Sequence, residues 1–315
     1  MSVLGTSTID VFPLALGGNT FGWTSDEPTS LAVLDAFVAG GGNFIDTADG
    51  YSAWAPGNSG GESETIIGTW MASRRNRADV VIGTKVSQHP EFRGLAASNV
   101  RAAADASLQR LRTDYIDVYY AHFDDDSVPL EETVEAFDGL RTAGKIREVG
   151  VSNYSPERLQ EWIDIAIRRG FALPVALQPH YNLVKRTGYE TGLAPIVEAH
   201  GLGVVPYFAL ASGFLTGKYR SQADLRGASR EQMANAYMSA EGLAVIEVLD
   251  RIATTRDTPI PTIALAWLRG RPGIAAPIAS ARTVEQLPAL LASATFELTD
   301  EERTALDDVS ARVGG

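Results

Sequence analysis

The chain contains no cysteine, which removes disulfides, thiolate metal ligands and a thiol nucleophile from consideration. No stretch approaches the roughly 18 consecutive apolar residues of a membrane-spanning helix. The start, Met1-Ser-Val-Leu-Gly-Thr-Ser, lacks the basic-then-apolar order of a secretory leader. A cytoplasmic protein with no membrane partner is therefore expected. Basic residues are also short: 27 Lys and Arg face 39 Asp and Glu, a formal charge of −12. That balance argues against a general nucleic-acid binder, which needs a basic stripe to neutralise phosphates, and most simply serves solubility. Histidine is scarce as well, and His89, His180 and His200 show no metal-ligand spacing, so no metal is expected.

What is present is alternation. Short apolar runs occur at Phe12–Leu16, Asn43–Asp46, Val80–Lys85, Tyr115–Tyr120, Ile146–Val151, Pro174–Gln178, Gly203–Tyr207 and Ile274–Ile278. Several are β-branched, and their continuity suggests strands buried on both faces, as in parallel sheets. Helical patterns lie between them at Thr29–Ala39, Glu62–Ser73, Ala96–Leu111, Pro129–Ala143, Pro156–Arg169, Tyr189–His200 and Ala240–Thr255. Val100, Ala104, Leu108 and Leu111 form one apolar face, and Val245, Leu249 and Ile252 form another. Ser155-Pro156 reads as an N-cap followed by a first-turn proline, and Thr283 to Gln286 and Thr299 to Glu302 fit capping boxes. Eight strand–helix units in 315 residues predict an α/β fold, a single (β/α)8 TIM barrel spanning 1–315 as one domain. An open doubly wound sheet is the runner-up, weakened because no Gly-x-Gly-x-x-Gly follows the first strand. Two insertions stand out, the Gly-rich loop Ser52–Gly61 and the long stretch Phe208–Ser239 after strand seven. The second is expected to act as a lid or cofactor clasp, with a short helix around Arg230–Met238. Thr262–Arg269 reads as an extra helical piece before strand eight, and further helices close the C-terminus.

Barrel enzymes place their chemistry at the C-terminal strand ends. Asp46, Lys85, His122, Gln178 and Tyr207 all fall there, and Tyr51 follows five residues after Asp46. Singly, each has an ordinary use: a cap, an ion pair, a satisfied core histidine, a packed ring. The ordered conjunction points to function. A free phenol, with a pKa of about 10, is a reluctant acid at neutral pH. A neighbouring Lys85 ammonium, held by Asp46, is expected to lower the Tyr51 pKa so that it can protonate a carbonyl oxygen. His122 is expected to hydrogen-bond that oxygen.

The stretches Phe44-Ile-Asp-Thr-Ala-Asp-Gly-Tyr51, Gly83-Thr-Lys85, Leu111-Arg-Thr-Asp-Tyr-Ile-Asp-Val-Tyr-Tyr-Ala-His122 and Gly144-Lys-Ile-Arg-Glu-Val-Gly-Val-Ser-Asn153 together resemble the aldo-keto reductase superfamily over nearly the whole chain. The resemblance implies a barrel that binds NADP(H) without a Rossmann fold and passes hydride to an aldehyde or ketone, with Asp46, Tyr51, Lys85 and His122 as catalytic tetrad and Tyr51 as general acid. It also implies that Thr20 and Asp46 lie at the cofactor, that Ser152, Asn153 and Gln178 hold the nicotinamide carboxamide, and that Tyr207 stacks on its ring. The loop Tyr207-Phe-Ala-Leu-Ala-Ser-Gly-Phe-Leu-Thr-Gly-Lys218 is similar to the pyrophosphate clasp of the family. There Phe208, Ala209, Leu210, Gly213, Leu215, Gly217 and Lys218 are the matching positions. Phe208 and Ala209 replace the usual serine and proline, so backbone N–H groups must do more of the anion binding. Gly213 to Lys218 is one residue short of a Walker loop and lacks a hydroxyl residue after the lysine, which rejects that reading. Ser280, Ala281, Arg282 and Gln286 match the segment that grips the adenosine end. A guanidinium at Arg282 suits a 2′-phosphate and favours NADP(H) over NAD(H). Leu290 stands where the family often has an asparagine at the adenine.

Trp23, Trp54 and Phe123 follow strands one, two and four, where an aromatic wall for the substrate can form. The loop after Tyr51 resembles bacterial members assigned broadly to reduction of sugars, aldehydes or ketones. The expected partner is a small-molecule carbonyl compound; the sequence carries no signal for oligomeric state. Two other readings stay open: a regulatory NADP(H)-binding subunit, from the altered clasp, and a Schiff-base enzyme using Lys85, which Asp46 opposes by keeping the amine protonated.

Overall fold

Side chains alternate across a strand, and that parity decides what the interior of this molecule contains. In a computed structural model, which describes residues 1–227 and 230–313, eight parallel strands form one continuous sheet. They are β1 (Ala15–Gly17), β2 (Phe44–Asp46), β3 (Val81–Val86), β4 (Ile116–Ala121), β5 (Ile146–Ser152), β6 (Pro174–Gln178), β7 (Gly203–Val204) and β8 (Ile278–Ala279). They are hydrogen-bonded in chain order from β1 to β7, with β8 beside β1. The sheet closes on itself where Val204 bridges Ile274 and the Ile278 N–H donates to Pro206 O at 2.9 Å. The result is the expected (β/α)8 barrel, with the helices around it.

All eight predicted strands are found, and the differences lie at their ends. β7 stops at Val204 and β8 starts only at Ile278, against expected spans of Gly203–Tyr207 and Ile274–Ile278. Pro206 and Pro277 have no N–H to offer a ladder, so Tyr207 pairs only through an isolated bridge to His180. The helix expected over Tyr189–His200 is split into a π-helix at Gly188–Leu193 and an α-helix at Ala194–His200. Pro195 interrupts the ladder there, and the wider turn absorbs the break. Ser155 caps its helix by accepting from Arg158 N, and Thr299 and Glu302 form the predicted capping box. Thr283 and Gln286 do not: Gln286 Oε1 accepts from Arg282 N at 2.8 Å, so its side chain fastens the loop rather than the helix start.

Interior-facing residues separate cleanly from those facing the helices. Phe44, Val81, Val118, Tyr120, Ala176 and Ile278 form a buried inner cluster, whereas Ile45, Ile82, Tyr119 and Ala121 pack outward against the helical layer. A two-residue alternation from the inner positions carries Asp46, Lys85 and His122 toward the same axis at the C-terminal mouth. The sequence reading missed the antiparallel hairpin of Ser2–Val3 with Asp10–Val11. Its Leu4, Ile9 and Val11 join the inner cluster and plug the opposite mouth. Gly5 makes this approach possible: its φ is +56°, and a Cβ there would lie 2.1 Å from Val175 O.

The segment after β7 is ordered into three short helical pieces, at Ala211–Thr216, Gln222–Leu225 and Glu231–Asn235. The last corresponds to the helix expected over Arg230–Met238. The extra helix before β8 runs Ile260–Arg269.

Candidate active site

The mouth is organised around one buried ion pair. Lys85 is fully buried at the end of β3, and its Nζ donates to Asp46 Oδ2 at 2.8 Å, to Thr47 O at 2.6 Å and to Tyr51 OH at 3.1 Å. The Tyr51 hydroxyl in turn lies 3.4 Å from Asp46 Oδ2. Gln178 Nε2 holds the other Asp46 oxygen at 2.9 Å. The His122 ring lies edge-on to Tyr51, with centroids 6.1 Å apart, and its Nδ1 is buried without a partner among the described residues. The four residues singled out in the sequence thus share one cavity mouth.

Below them Tyr120 forms the floor, its ring centroid 6.0 Å from Lys85 Nζ. This ring fits only because Gly150 carries no Cβ, and it also lies tight against Gly83. A Cβ on Gly150 would fall 2.3 Å from Tyr120, and one on Gly83 would fall 3.2 Å from it.

The electrostatics depart from expectation at Tyr51. Burial, followed by the charge and hydrogen bond of Asp46, pushes its phenol well above 10, the reverse of the lowering expected from Lys85. The reason lies in the same cluster. Burial lowers the Lys85 amine against the pull of Asp46, so the ammonium is largely answered by its own counter-ion before it acts on the phenol. Tyr51 is therefore a fully protonated phenol in this state. Burial, then the Lys85 charge, also hold the His122 imidazole well below 6.5, so it is neutral and can donate or accept a hydrogen bond.

A continuous polar chain leads away from the ion pair. Ser152 Oγ donates to Gln178 O at 2.8 Å, Asn153 Nδ2 donates to Ser152 Oγ at 3.0 Å, and Tyr207 OH donates to Asn153 Oδ1 at 2.7 Å. Asn153 also donates to His122 O at 2.9 Å, from a backbone at φ +57°. One face of Tyr207 is covered by His180, stacked at 5.2 Å and 29°. His180 Nε2 shares a 2.8 Å hydrogen bond with Tyr237 OH, which ties the segment after β7 to the loop after β6.

The clasp residues form a tight turn with left-handed backbone at Phe208, Ala211, Ser212, Gly213 and Gly217. Such conformations turn successive N–H groups inward and suit anions. Gly213 lies against the exposed Lys218, whose Nζ would be 3.2 Å from a Cβ at that position. Ala209 and Leu215 are buried and Leu210 is partly buried, so these apolar side chains anchor the turn. Across the mouth, Thr20 is buried with its Oγ1 3.4 Å from Ala281 O, Ser280 Oγ donates to Asn19 Oδ1 at 2.6 Å, and Arg282 and Gln286 are exposed. A groove of 710 Å³ runs past Arg282 and Thr283 between the loops after β1 and β8; it flanks the tetrad rather than containing it. These donors, an exposed guanidinium and a backbone cradle suit a phosphorylated dinucleotide.

The three aromatic residues flank the tetrad from two sides. Trp23 and Trp54 meet edge-to-face at 5.6 Å, Trp54 lies 6.1 Å from Tyr51, and Phe123 lies 4.9 Å from His122. Trp54 and Phe123 are exposed. The sequence reading missed Arg230, whose half-buried guanidinium stands 5.8 Å over the Trp23 ring. Burial and the charge of Arg282 lower its pKa, and its own charge draws the Tyr51 phenol down, the weakest influence on that group. Its only sequence signal is a basic residue inside a long loop. No group of three or more His, Cys, Asp or Glu able to hold a metal occurs among the described residues.

A phenol and a neutral imidazole facing one opening, backed by a buried amine, suit the interconversion of carbonyls and alcohols. The Aldo/keto reductase family model matches residues 13–311, and the chain belongs to that family. Among its relatives, norsolorinic acid reductase B of Aspergillus parasiticus is 34% identical over 96% of this chain and 81% of its own length. The uncharacterized oxidoreductase YrpG of Bacillus subtilis is 33% identical over 99% of this chain and 96% of its own. Protein tas of Escherichia coli is 30% identical, covering 96% of this chain and 95% of its own. The protein is accordingly a carbonyl-reducing oxidoreductase of a family that generally uses NAD(P)H.

Proposed function

We propose that the protein reduces an aldehyde or ketone to the alcohol with NADP(H), and that Tyr51 gives the proton. The observation that carries this is the Lys85 amine, within hydrogen-bonding distance of both the Tyr51 hydroxyl and Asp46. When bound, the cofactor would supply a hydride for the carbonyl carbon. As charge develops on the carbonyl oxygen, the Tyr51 O–H transfers its proton there, and Lys85 stabilises the phenolate left behind. His122, neutral, orients the oxygen beside Tyr51. Asp46 keeps Lys85 charged and fixed, with Gln178 holding Asp46.

Ser152, Asn153 and Gln178 offer the donors and acceptors an amide needs, and the free face of Tyr207 offers a stacking surface. The turn from Phe208 to Lys218 would take the pyrophosphate, and Arg282 with Ser280 the 2′-phosphate; Arg230 adds positive charge between these and Tyr51. The aromatic wall of Trp23, Trp54 and Phe123 favours a flat aryl carbonyl over a polyhydroxylated sugar. Loss of NADPH absorbance with 4-nitrobenzaldehyde tests the reading. Tight NADPH binding without turnover over a broad carbonyl panel would refute it, and would favour the regulatory alternative suggested by Phe208 and Ala209.

A further inference from the structure

Behind Lys85, on the outer side of the strand ends, lies a buried acidic pair that the reaction above does not use. Asp49, in the turn between Asp46 and Tyr51, is fully buried, and neither carboxylate oxygen has a hydrogen-bond partner among the described residues. Its backbone N–H donates to Lys85 O at 3.1 Å, which fixes it against the strand carrying the amine. Glu64, in the first turn of the helix Glu62–Arg74, is equally buried. Both its oxygens are satisfied, by Thr84 Oγ1 at 2.5 Å and by Arg110 Nε at 2.6 Å. The Tyr119 hydroxyl nearby is also buried and without a partner among the described residues.

Two carboxyl groups in a water-excluded pocket do not both ionise readily. Glu64 has the guanidinium and the hydroxyl as partners, whereas Asp49 has neither. We propose that Asp49 is a positioning residue that carries a proton, a neutral acid set behind Lys85 so that Asp46 remains the one anion in contact with the amine. Burial and then the Glu64 charge drive the Asp49 carboxyl well above the usual carboxylate range, and the nearby Gly50 and Ser87 amides, which form no well-aligned hydrogen bond to it, and Arg110 oppose this only weakly. The groups bearing on this pocket are Lys85 on β3, Glu64 and Arg110 on the flanking helices, and Tyr119 on β4. Ionised Asp49 would add a second negative charge behind Lys85 and make Tyr51 a poorer proton donor. That kinetic consequence rests on the proposed function, whereas the protonation of Asp49 does not.

The test has two parts. Infrared difference spectra of the unliganded wild type and Asp49→Asn at neutral pH should show the carbonyl stretch of a protonated carboxylic acid in the wild type, lost in the variant. No such band in the wild type overturns the proposal, whatever the enzyme turns over. Should Asp49→Asn fold poorly, Glu64→Gln should lower the pH at which the band disappears, and an unshifted disappearance would overturn the pairing. In NADPH-dependent carbonyl reduction, Asp49→Asn should keep neutral-pH kcat within about twofold of wild type. Its alkaline limb should extend to higher pH than that of the wild type. Superimposable limbs overturn the positioning role, whereas absence of turnover by the wild type counts against the proposed function and leaves the infrared result standing.

Discussion

A phenol whose pKa is raised, not lowered, still suits a general acid, provided the group receiving its proton becomes basic enough during reaction. Tyr51 sits in this position because burial, then the charge and hydrogen bond of Asp46, raise its pKa. In the proposed reaction its proton would leave only as negative charge builds on the carbonyl oxygen. Tyr51→Phe should therefore lower kcat for reduction by at least ~10²-fold, the typical contribution of a positioned acid. NADPH binding followed by fluorescence titration should remain intact, and an unchanged rate would show that the acid is misassigned. Arg282, exposed at the far side of the mouth, is the residue proposed to meet the 2′-phosphate. Arg282→Ala should weaken NADPH binding by about 1.5–3 kcal/mol, the range for a charged hydrogen bond, and NADH binding much less. Equal losses would place the residue away from the 2′-phosphate. Asp46, Lys85 and His122 were legible in the sequence because strand parity aims alternate residues at one mouth, and Tyr51 because it follows Asp46 by five residues in the adjoining loop. The direction of the Tyr51 shift was not, because it depends on how much water the packed barrel excludes.

At the level of elements, the segment after β7 is fastened by buried apolar side chains and by polar contacts to its neighbours. One is the hydrogen bond between Tyr237 OH and His180 Nε2, 2.8 Å long. His180 also packs on Tyr207, so the latch and the proposed stacking platform move together. Tyr237→Phe keeps the ring and removes the hydroxyl, and a neutral hydrogen bond contributes about 0.5–1.5 kcal/mol. Stopped-flow displacement of NADPH should then show release roughly two- to tenfold faster than in the wild type, by the equivalence of 1.4 kcal/mol and a factor of ten. An unchanged release rate would mean that this contact does not hold the segment closed. The sequence marked this region as too long for a passive connection and placed a short helix near its end. It carried no sign of the latch, because His180 and Tyr237 are far apart in the chain and each is unremarkable alone. The shortened β7 and β8, by contrast, follow from Pro206 and Pro277 and could have been read in advance.

For the molecule as a whole, two buried or half-buried imidazoles link stability to pH. Burial, then Lys85, lower the pKa of His122, and burial, then Lys185, lower that of His180 to about 4. Above 6.5 both states of the protein hold these rings neutral. As pH falls below 6.5 the unfolded chain takes up protons that the folded one refuses, so stability is lost progressively from 6.5 towards 4 and beyond. Urea midpoints measured across this range should fall, with a smaller fall in His180→Gln; parallel curves would contradict the assignment for His180. The plug at the opposite mouth gives a second global test. Gly5 combines a positive φ with backbone atoms of Val175 and Gly203 closer than any Cβ tolerates. Gly5→Ala should cost more than the ~1–2 kcal/mol of left-handed strain alone, read as a lowered urea midpoint. A midpoint equal to that of the wild type would mean that the hairpin yields without loss.

By itself the sequence determined the order of the strands, the parity that brings Asp46, Lys85 and His122 to one end, and family membership, since all of these reside in local spacing. Tertiary structure alone decided the directions in which the pKa values of Tyr51, Lys85 and His122 are shifted, the approach of Arg230 to the mouth, and the hairpin that stops the barrel from below. Those depend on distances between remote segments and on the exclusion of water between them, and no local pattern encodes either.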